Sequence, residues 1–276
     1  MGDKKIFLLG IGGQKCGTTW LESQLAKTPF FDNGGVKEFH IFNKLHQKRI
    51  SQKIIRRKKR GQADLLTRGE AMRLSPKLYF DHFDYLFHRN PNITHVGDIT
   101  PAYSSLPATT FEQIRNGLAQ KNFNIKVVFL MRDPVERVWS QLRMNNRLKA
   151  ERQNKKKTSA QDEFKQLRRF YKSPLCKRRT RYELTAGNIE SIFPTDAIYY
   201  GFYEQLFQQS EINRLTAFLE CPPLHADFGK VVHASPKPTE QIQGMQELLQ
   251  EIRSYYAETY QWTRQRFGEQ VPSTWN

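Results

Sequence analysis

The chain has 276 residues, a formal net charge of +17 at pH 7 and three cysteines, Cys16, Cys176 and Cys221. Its length suits one α/β domain with a sizeable core; no apolar stretch is long enough for a membrane helix, the N-terminal apolar run is too short for a signal peptide, and Ile6 breaks the myristoylation pattern. Cysteines that are odd in number and widely spaced exclude a disulfide framework and a zinc set, so a reducing, cytoplasmic setting is expected.

Strands and helices alternate along the chain. KKIFLLGIG, residues 4–12, reads as a short buried strand. TTWLESQLAK, residues 18–27, reads as the next helix, stopped by Thr28-Pro29. THVGDI, residues 94–99, is a second strand, and NIKVVFLMR, residues 124–132, is the clearest one. A helix should follow at once, with Asp133 as cap, Pro134 at its first position and Glu136 completing a capping box. DAIYYGFYE, residues 196–204, is another strand, and SEINRLTAFLE, residues 210–220, its helix. The last segment, residues 239–262, is predicted as one long helix with an apolar stripe of Ile242, Met245, Leu248, Leu249 and Ile252. This alternation predicts a central parallel sheet flanked by helices, with residues 1–276 as a single domain. No internal repeat is present, and Lys149 to Lys157 is the best candidate for a mobile segment.

The charge is concentrated. Lys44 to Arg60 holds nine Lys/Arg and no acid, and Arg143 to Glu183 holds fifteen Lys/Arg against four acids. Two such runs can steer an anion to a site, or they can be solvated surface. Nucleic acid is disfavoured, because the runs carry few interleaved aromatics and no recognised binding signature.

Two segments carry chemistry. GIGGQKCGTTWLESQL, from Gly10 to Leu25, joins the first strand to the first helix, and four of its first eight residues are glycine. Backbone N–H groups there can form an anion nest at a helix N-terminus, which makes Gly13, Gln14, Lys15, Cys16, Gly17, Thr18 and Thr19 candidate binding residues. A nucleoside-triphosphate loop places its lysine after the last glycine; here Lys15 precedes Gly17. The second segment is RDPVERVWS. Arg132 stands at the carboxyl end of a strand, where α/β sheets bind ligands, and Ser140 follows eight residues on. Singly, each has a plainer reading: an arginine at a sheet edge and a serine on a helix surface.

Together, in this order, K-x-G-T-T and R-D-P-x-x-R-x-x-S resemble the PAPS-dependent sulfotransferases, which take a sulfuryl group from 3′-phosphoadenosine 5′-phosphosulfate. The likeness is greatest to soluble bacterial members related to heparan sulfate sulfotransferases and runs from about Ile6 to Leu219. It implies a 5′-phosphosulfate loop of Lys15, Gly17, Thr18 and Thr19, and a 3′-phosphate site of Arg132 and Ser140. It implies PAPS as donor co-substrate, adenosine 3′,5′-bisphosphate as product, and no metal. VKEFHIFN places Glu38 as the general base, with His40 as its rival. On an extended segment the two would face the same side; a surface pairing of Glu38 with Lys37 is the plainer alternative. Tyr182, in RTRY, resembles a cofactor-contacting position. Lys230 or Lys237, in FGKVVHASPKPTE, would close over the cofactor, although Gly229-Lys230 reverses the family's order. In DITPAY, Ile99 stands where heparan-type relatives often carry a lysine, and Lys37 could substitute. The acceptor would be a hydroxyl or amine, on a glycan or small metabolite, with the basic runs suiting an anionic one. The rival functions are a nucleoside-phosphate kinase, which the loop order opposes, and a non-catalytic polyanion-binding protein.

Overall fold

A computed structural model describes residues 4–45, 66–154, 158–229 and 242–275, with isolated positions between 52 and 61. Lys230, Lys237, much of the first basic run and the end of the Lys149–Lys157 segment lie outside the described residues.

Five strands form one parallel sheet: β1 (Ile6–Gly12), β2 (Phe31–Asp32), β3 (His95–Ile99), β4 (Asn124–Met131) and β5 (Ile198–Phe202), in the order β2-β3-β1-β4-β5. The expected α/β class is what the chain adopts. Side chains alternate across the sheet: Phe7, Leu9 and Ile11 enter one core, Leu8 the other, and Val127, Phe129 and Met131 oppose Val128 and Leu130. Both faces are covered, so these strands read as continuous apolar runs. The helices Thr18–Leu25 and Gln209–Leu219 cover one face through Trp20, Leu21, Leu25, Ile212, Leu215 and Leu219. The other face carries Lys77–His88, Ala108–Ala119, Pro134–Gln153 and the C-terminal helices. Phe7 meets Phe83 edge-on at 4.9 Å there, and each such side chain contributes roughly 1.5–3 kcal/mol on burial.

Two local expectations change, and one strand appears that the sequence reading did not include. The edge strand β2 has only two residues; it is held where the Thr94 and His95 N–H groups donate to the Phe30 carbonyl at 3.1 and 3.0 Å. The capping box is half formed. Asp133 Oδ1 accepts the Glu136 N–H at 3.0 Å, but the Asp133 N–H donates to Glu204 at 3.0 Å, and the Glu136 carboxylate faces Arg132 instead. The single C-terminal helix is two, Met245–Tyr255 and Ala257–Phe267. Tyr256 breaks it: its ring is buried and its hydroxyl donates to the Tyr171 carbonyl at 2.6 Å. Upstream, Gly244 enters the first of these helices with φ 80°.

Candidate active site

Residues beyond the carboxyl ends of all five strands meet in one cleft of about 840 Å³, open solvent at its mouth included. Gln14, Lys15, Gly17, Thr18, Thr19 and Trp20 follow β1; Lys37 and Glu38 follow β2; Pro101 follows β3; Arg132 and Ser140 follow β4; Tyr203 and Phe207 follow β5. This is where an open α/β sheet accepts ligands.

The glycine-rich loop is shaped from within. The Gly13 N–H donates to the Leu130 carbonyl of β4, and the Cys16 N–H donates back to the Gly13 carbonyl at 3.2 Å. Those two donors are therefore committed to the loop. The Cys16 thiol points into the core, where burial pushes its pKa up to about 12. Gly13 and Cys16, read from the sequence as binding residues, serve the loop's shape and do not line the cleft. Lys15 has φ 72° and Gly17 has φ 88°. A Cβ on Gly17 would lie 2.5 Å from Leu206 Cδ2, so backbone curvature and close packing both require glycine. The helix then starts at Thr18, leaving the first-turn N–H groups without helical partners. Burial, then Arg147, then Arg132 lower the Lys15 pKa.

Arg132 is fixed on several sides. Its guanidinium lies 4.3 Å over the Tyr203 ring, Nη1 donates to the Lys15 carbonyl at 3.3 Å, and Nη2 meets Glu136 at 3.2 Å. Its Nε is buried without a partner. Ser140 shares the cleft wall, two helical turns inside Pro134–Gln153. Tyr182 lies behind this corner: it is fully buried, donates to the Arg132 carbonyl at 2.6 Å and accepts the Arg132 N–H at 3.4 Å. Tyr182, expected to contact the cofactor, does not line the cleft, and its phenol bonds the Arg132 backbone. Arg137, the second arginine of the R-D-P motif, is likewise interior and bonds Gln141 at 2.7 Å and Cys176 Sγ at 3.1 Å.

The Glu38 segment is not extended. Glu38 and His40 both take left-handed backbone, φ 55° and 53°, at a cost of about 1–3 kcal/mol each for non-glycine residues. Neighbours hold it. The Ile41 N–H donates to the Tyr103 hydroxyl at 3.2 Å, Arg73 Nε donates to the His40 carbonyl at 3.3 Å, and the Asp98 carboxylate lies beside the Phe39 backbone. Asp98 accepts from Tyr79 at 3.0 Å and Thr100 at 2.6 Å. Thus DITPAY is a buried brace for the segment. Phe39 and Ile41 point inward, Glu38 reaches the cleft, and His40 stands behind it with Nε2 2.9 Å from the carboxylate. The Asn43 side-chain amide faces His40 Nδ1 at 3.2 Å on the side away from Glu38.

Sequence reasoning missed Trp20, Met144, Arg147, Leu148, Tyr203 and Phe207. A signal for part of the set existed: Met144, Arg147 and Leu148 lie four, seven and eight residues beyond Ser140, on the same helical face. It also missed Glu22, buried on the first helix, where Asn33 Nδ2 donates to its carboxylate at 3.1 Å. Burial pushes this carboxyl up to about 7. Among the described residues, Lys15, Lys37, Arg132 and Arg147 line the cleft against Glu38 as the one acid, so its chemistry suits a ligand of several negative charges.

A model of the sulfotransferase domain matches residues 3–253. The chain belongs to that family. Sulfotransferase domains are enzymes that transfer a sulfuryl group and use PAPS. No curated protein matches the chain. Among solved structures, a sulfotransferase from Alicyclobacillus acidocaldarius is similar over 100% of this chain and 99% of its own, at 17% identity and a TM-score of 0.57. The sulfotransferase domain of the curacin biosynthetic pathway covers 92% and 97% at 14% identity and a TM-score of 0.45. That of a Synechococcus olefin synthase covers 93% and 97% at 16% identity and a TM-score of 0.42. The first of these shares the sulfotransferase fold. Among the described residues no helix is long and apolar enough to cross a membrane.

Proposed function

We propose that this sulfotransferase moves the sulfuryl group of PAPS to an acceptor hydroxyl or amine, with Glu38 as base. The observation that carries the reading is convergence: Lys15 with the Gly17–Thr19 turn, the Arg132–Ser140 corner and Glu38 line a single cleft. The residues suit such a donor. Among the described residues, Gly17 leaves no room for a side chain, the buried Arg132 Nε lacks a partner, and four cations face one acid. Thr18 and Thr19, with their N–H groups, would hold the phosphosulfate, while Arg132 and Ser140 would hold the 3′-phosphate. Lys15 offers its charge to the bridging oxygen as the leaving phosphate becomes more negative; fixed charges of this kind are often the largest catalytic term. Glu38 takes the acceptor's proton while His40 Nε2 steadies the carboxylate.

Lys37 and Arg147, in the same cleft, favour a negatively charged acceptor, such as a glycan of the kind handled by heparan-type relatives or an anionic metabolite. Three free thiols support a reducing, cytoplasmic setting, and one continuous sheet supports a single domain. The test is incubation with labelled PAPS and pools of acceptors, followed by mass spectrometry of sulfated products. Binding of PAPS without transfer to any acceptor, water included, would leave a binding protein; phosphoryl transfer from ATP with magnesium would make it a kinase.

A further inference from the structure

Arg179, on the short helix Pro174–Thr180, is a charge in an unusual position. It is largely enclosed, its Nε is buried without a partner, and no carboxylate among the described residues lies within ion-pair distance of it. Burial, followed by repulsion from Arg137, pushes its pKa down to about 10, while Cys176 and then Glu38 act in the opposite direction. A guanidinium so largely enclosed, with no counter-ion among the described residues, is costly. Its side-chain hydrogen bond goes from Nη1 to the amide oxygen of Gln14, the cleft residue that immediately precedes Lys15.

That bond fixes more than a distance. Arginine has donors and no acceptor, so the amide must turn its oxygen to Arg179. The NH2 end of Gln14 is then the end left for a ligand. We propose that Arg179 is a positioning residue for sulfuryl transfer: it turns the Gln14 amide so that its NH2 group donates to the sulfuryl group from the loop side of the cleft. The proposal rests on the sulfuryl-transfer reading above. The acceptor's bond to sulfur forms as the bridge from sulfur to the 5′-phosphate breaks, with the electron pair leaving on the phosphate and the proton going to Glu38. Gln14 donates a hydrogen bond and is unchanged. The guanidinium behind it polarises the amide, and an anion arriving in the cleft relieves the isolated charge. This supplies from Arg179 and Gln14 what Ile99 does not supply from the DITPAY stretch.

The test is a double-mutant cycle on the full chain: Arg179→Ala, Gln14→Ala and both together. Each is measured for kcat at saturating PAPS and for affinity toward adenosine 3′,5′-bisphosphate, which has no sulfuryl group. Arg179→Ala should lower kcat about tenfold, the scale of one hydrogen bond, and leave bisphosphate affinity within about twofold. In the Gln14→Ala background, adding Arg179→Ala should cost nothing further. Gln14→Glu keeps the contact with Arg179 as an ion pair but loses the donor, so it should stay folded and turn over slowly. The proposal is overturned if Arg179→Ala weakens bisphosphate binding and kcat alike, if its effect persists without Gln14, or if Gln14→Glu works like the wild type. Should Arg179→Ala fail to fold, Gln14→Glu decides alone. A wild-type protein without PAPS turnover would instead sink the parent reading before any variant is made.

Discussion

Replacing Glu22 by glutamine should remove a pH-dependent instability from the fold. The residue is 7% exposed, on the helix that follows the phosphate loop, and its carboxylate accepts a hydrogen bond from Asn33 at 3.1 Å. Loss of hydration raises its pKa from 4.5 to about 7; the Asn33 bond and Lys37 oppose that shift, and Asp98 and Glu38 add to it. In the unfolded chain the group titrates near 4.5. Below that pH both states hold the proton, and its stabilising effect is fully present. As pH rises through 4.5 toward 7 the unfolded chain releases the proton while the folded one keeps it, so stability falls and the loss is complete above the folded pKa. The gap between the two pKa values, at about 1.4 kcal/mol per pKa unit, amounts to roughly 3.5 kcal/mol at most. Glutamine keeps an oxygen for Asn33 and never ionises. Urea unfolding of wild type and Glu22→Gln should therefore give similar stabilities near pH 4 and a more stable variant at pH 8, by up to about 3.5 kcal/mol. Taking the difference cancels the other buried carboxyls, Asp98, Asp133 and Glu204, whose pKa values burial also raises. A difference that stays constant from pH 4 to pH 8 would refute the argument that burial holds this proton.

Other outcomes follow from the cleft. PAPS and adenosine 3′,5′-bisphosphate should raise the melting temperature while 5′-AMP does little, because a ligand at about a hundred times its Kd adds roughly 2.7 kcal/mol and AMP lacks the 3′-phosphate for Arg132 and Ser140; equal shifts would remove the case for that corner. Arg132→Ala should mainly weaken nucleotide binding, a contact present in ground and transition states alike, whereas Lys15→Ala should lower kcat more than binding; a normal kcat for Lys15→Ala, measured at saturating PAPS, would end its assigned role. Glu38→Gln should cut kcat by about a hundred- to ten-thousand-fold with bisphosphate affinity preserved, and His40→Ala should cost less, since its imidazole stands behind the carboxylate; the reverse ranking would make His40 the base. Gly17→Ala should destabilise the loop by about 1–3 kcal/mol, because φ is 88° and the new Cβ would lie 2.5 Å from Leu206; thermal melts indistinguishable from wild type would count against that strain.

What the chain reveals in its linear order is whatever is decided within a few residues. The first strand, the loop and the helix after it form one local unit, as do β4 and the Asp133–Pro134 helix start, because apolar runs, glycine and caps act on their own neighbourhoods. K-x-G-T-T and R-D-P-x-x-R-x-x-S are each contained in such a unit, so the family is legible there, together with several residues that line the cleft. Direction of facing was not. Cys16 and Arg137 fit the motifs as well as Lys15 and Arg132 do, but burial draws the first pair into the core and leaves the second pair at the cleft. Tyr182 lies fifty residues from Arg132 along the chain, and only packing puts its hydroxyl on that backbone. The same holds for the left-handed backbone at Glu38 and His40, which no local preference favours and which Tyr103 and Arg73 hold from other segments. Glu22 beside Asn33, and Arg179 against Gln14, are contacts between segments with no common spacing. Their altered pKa values arise from the dielectric of a folded interior, a quantity that exists only once the sheet has brought those segments together.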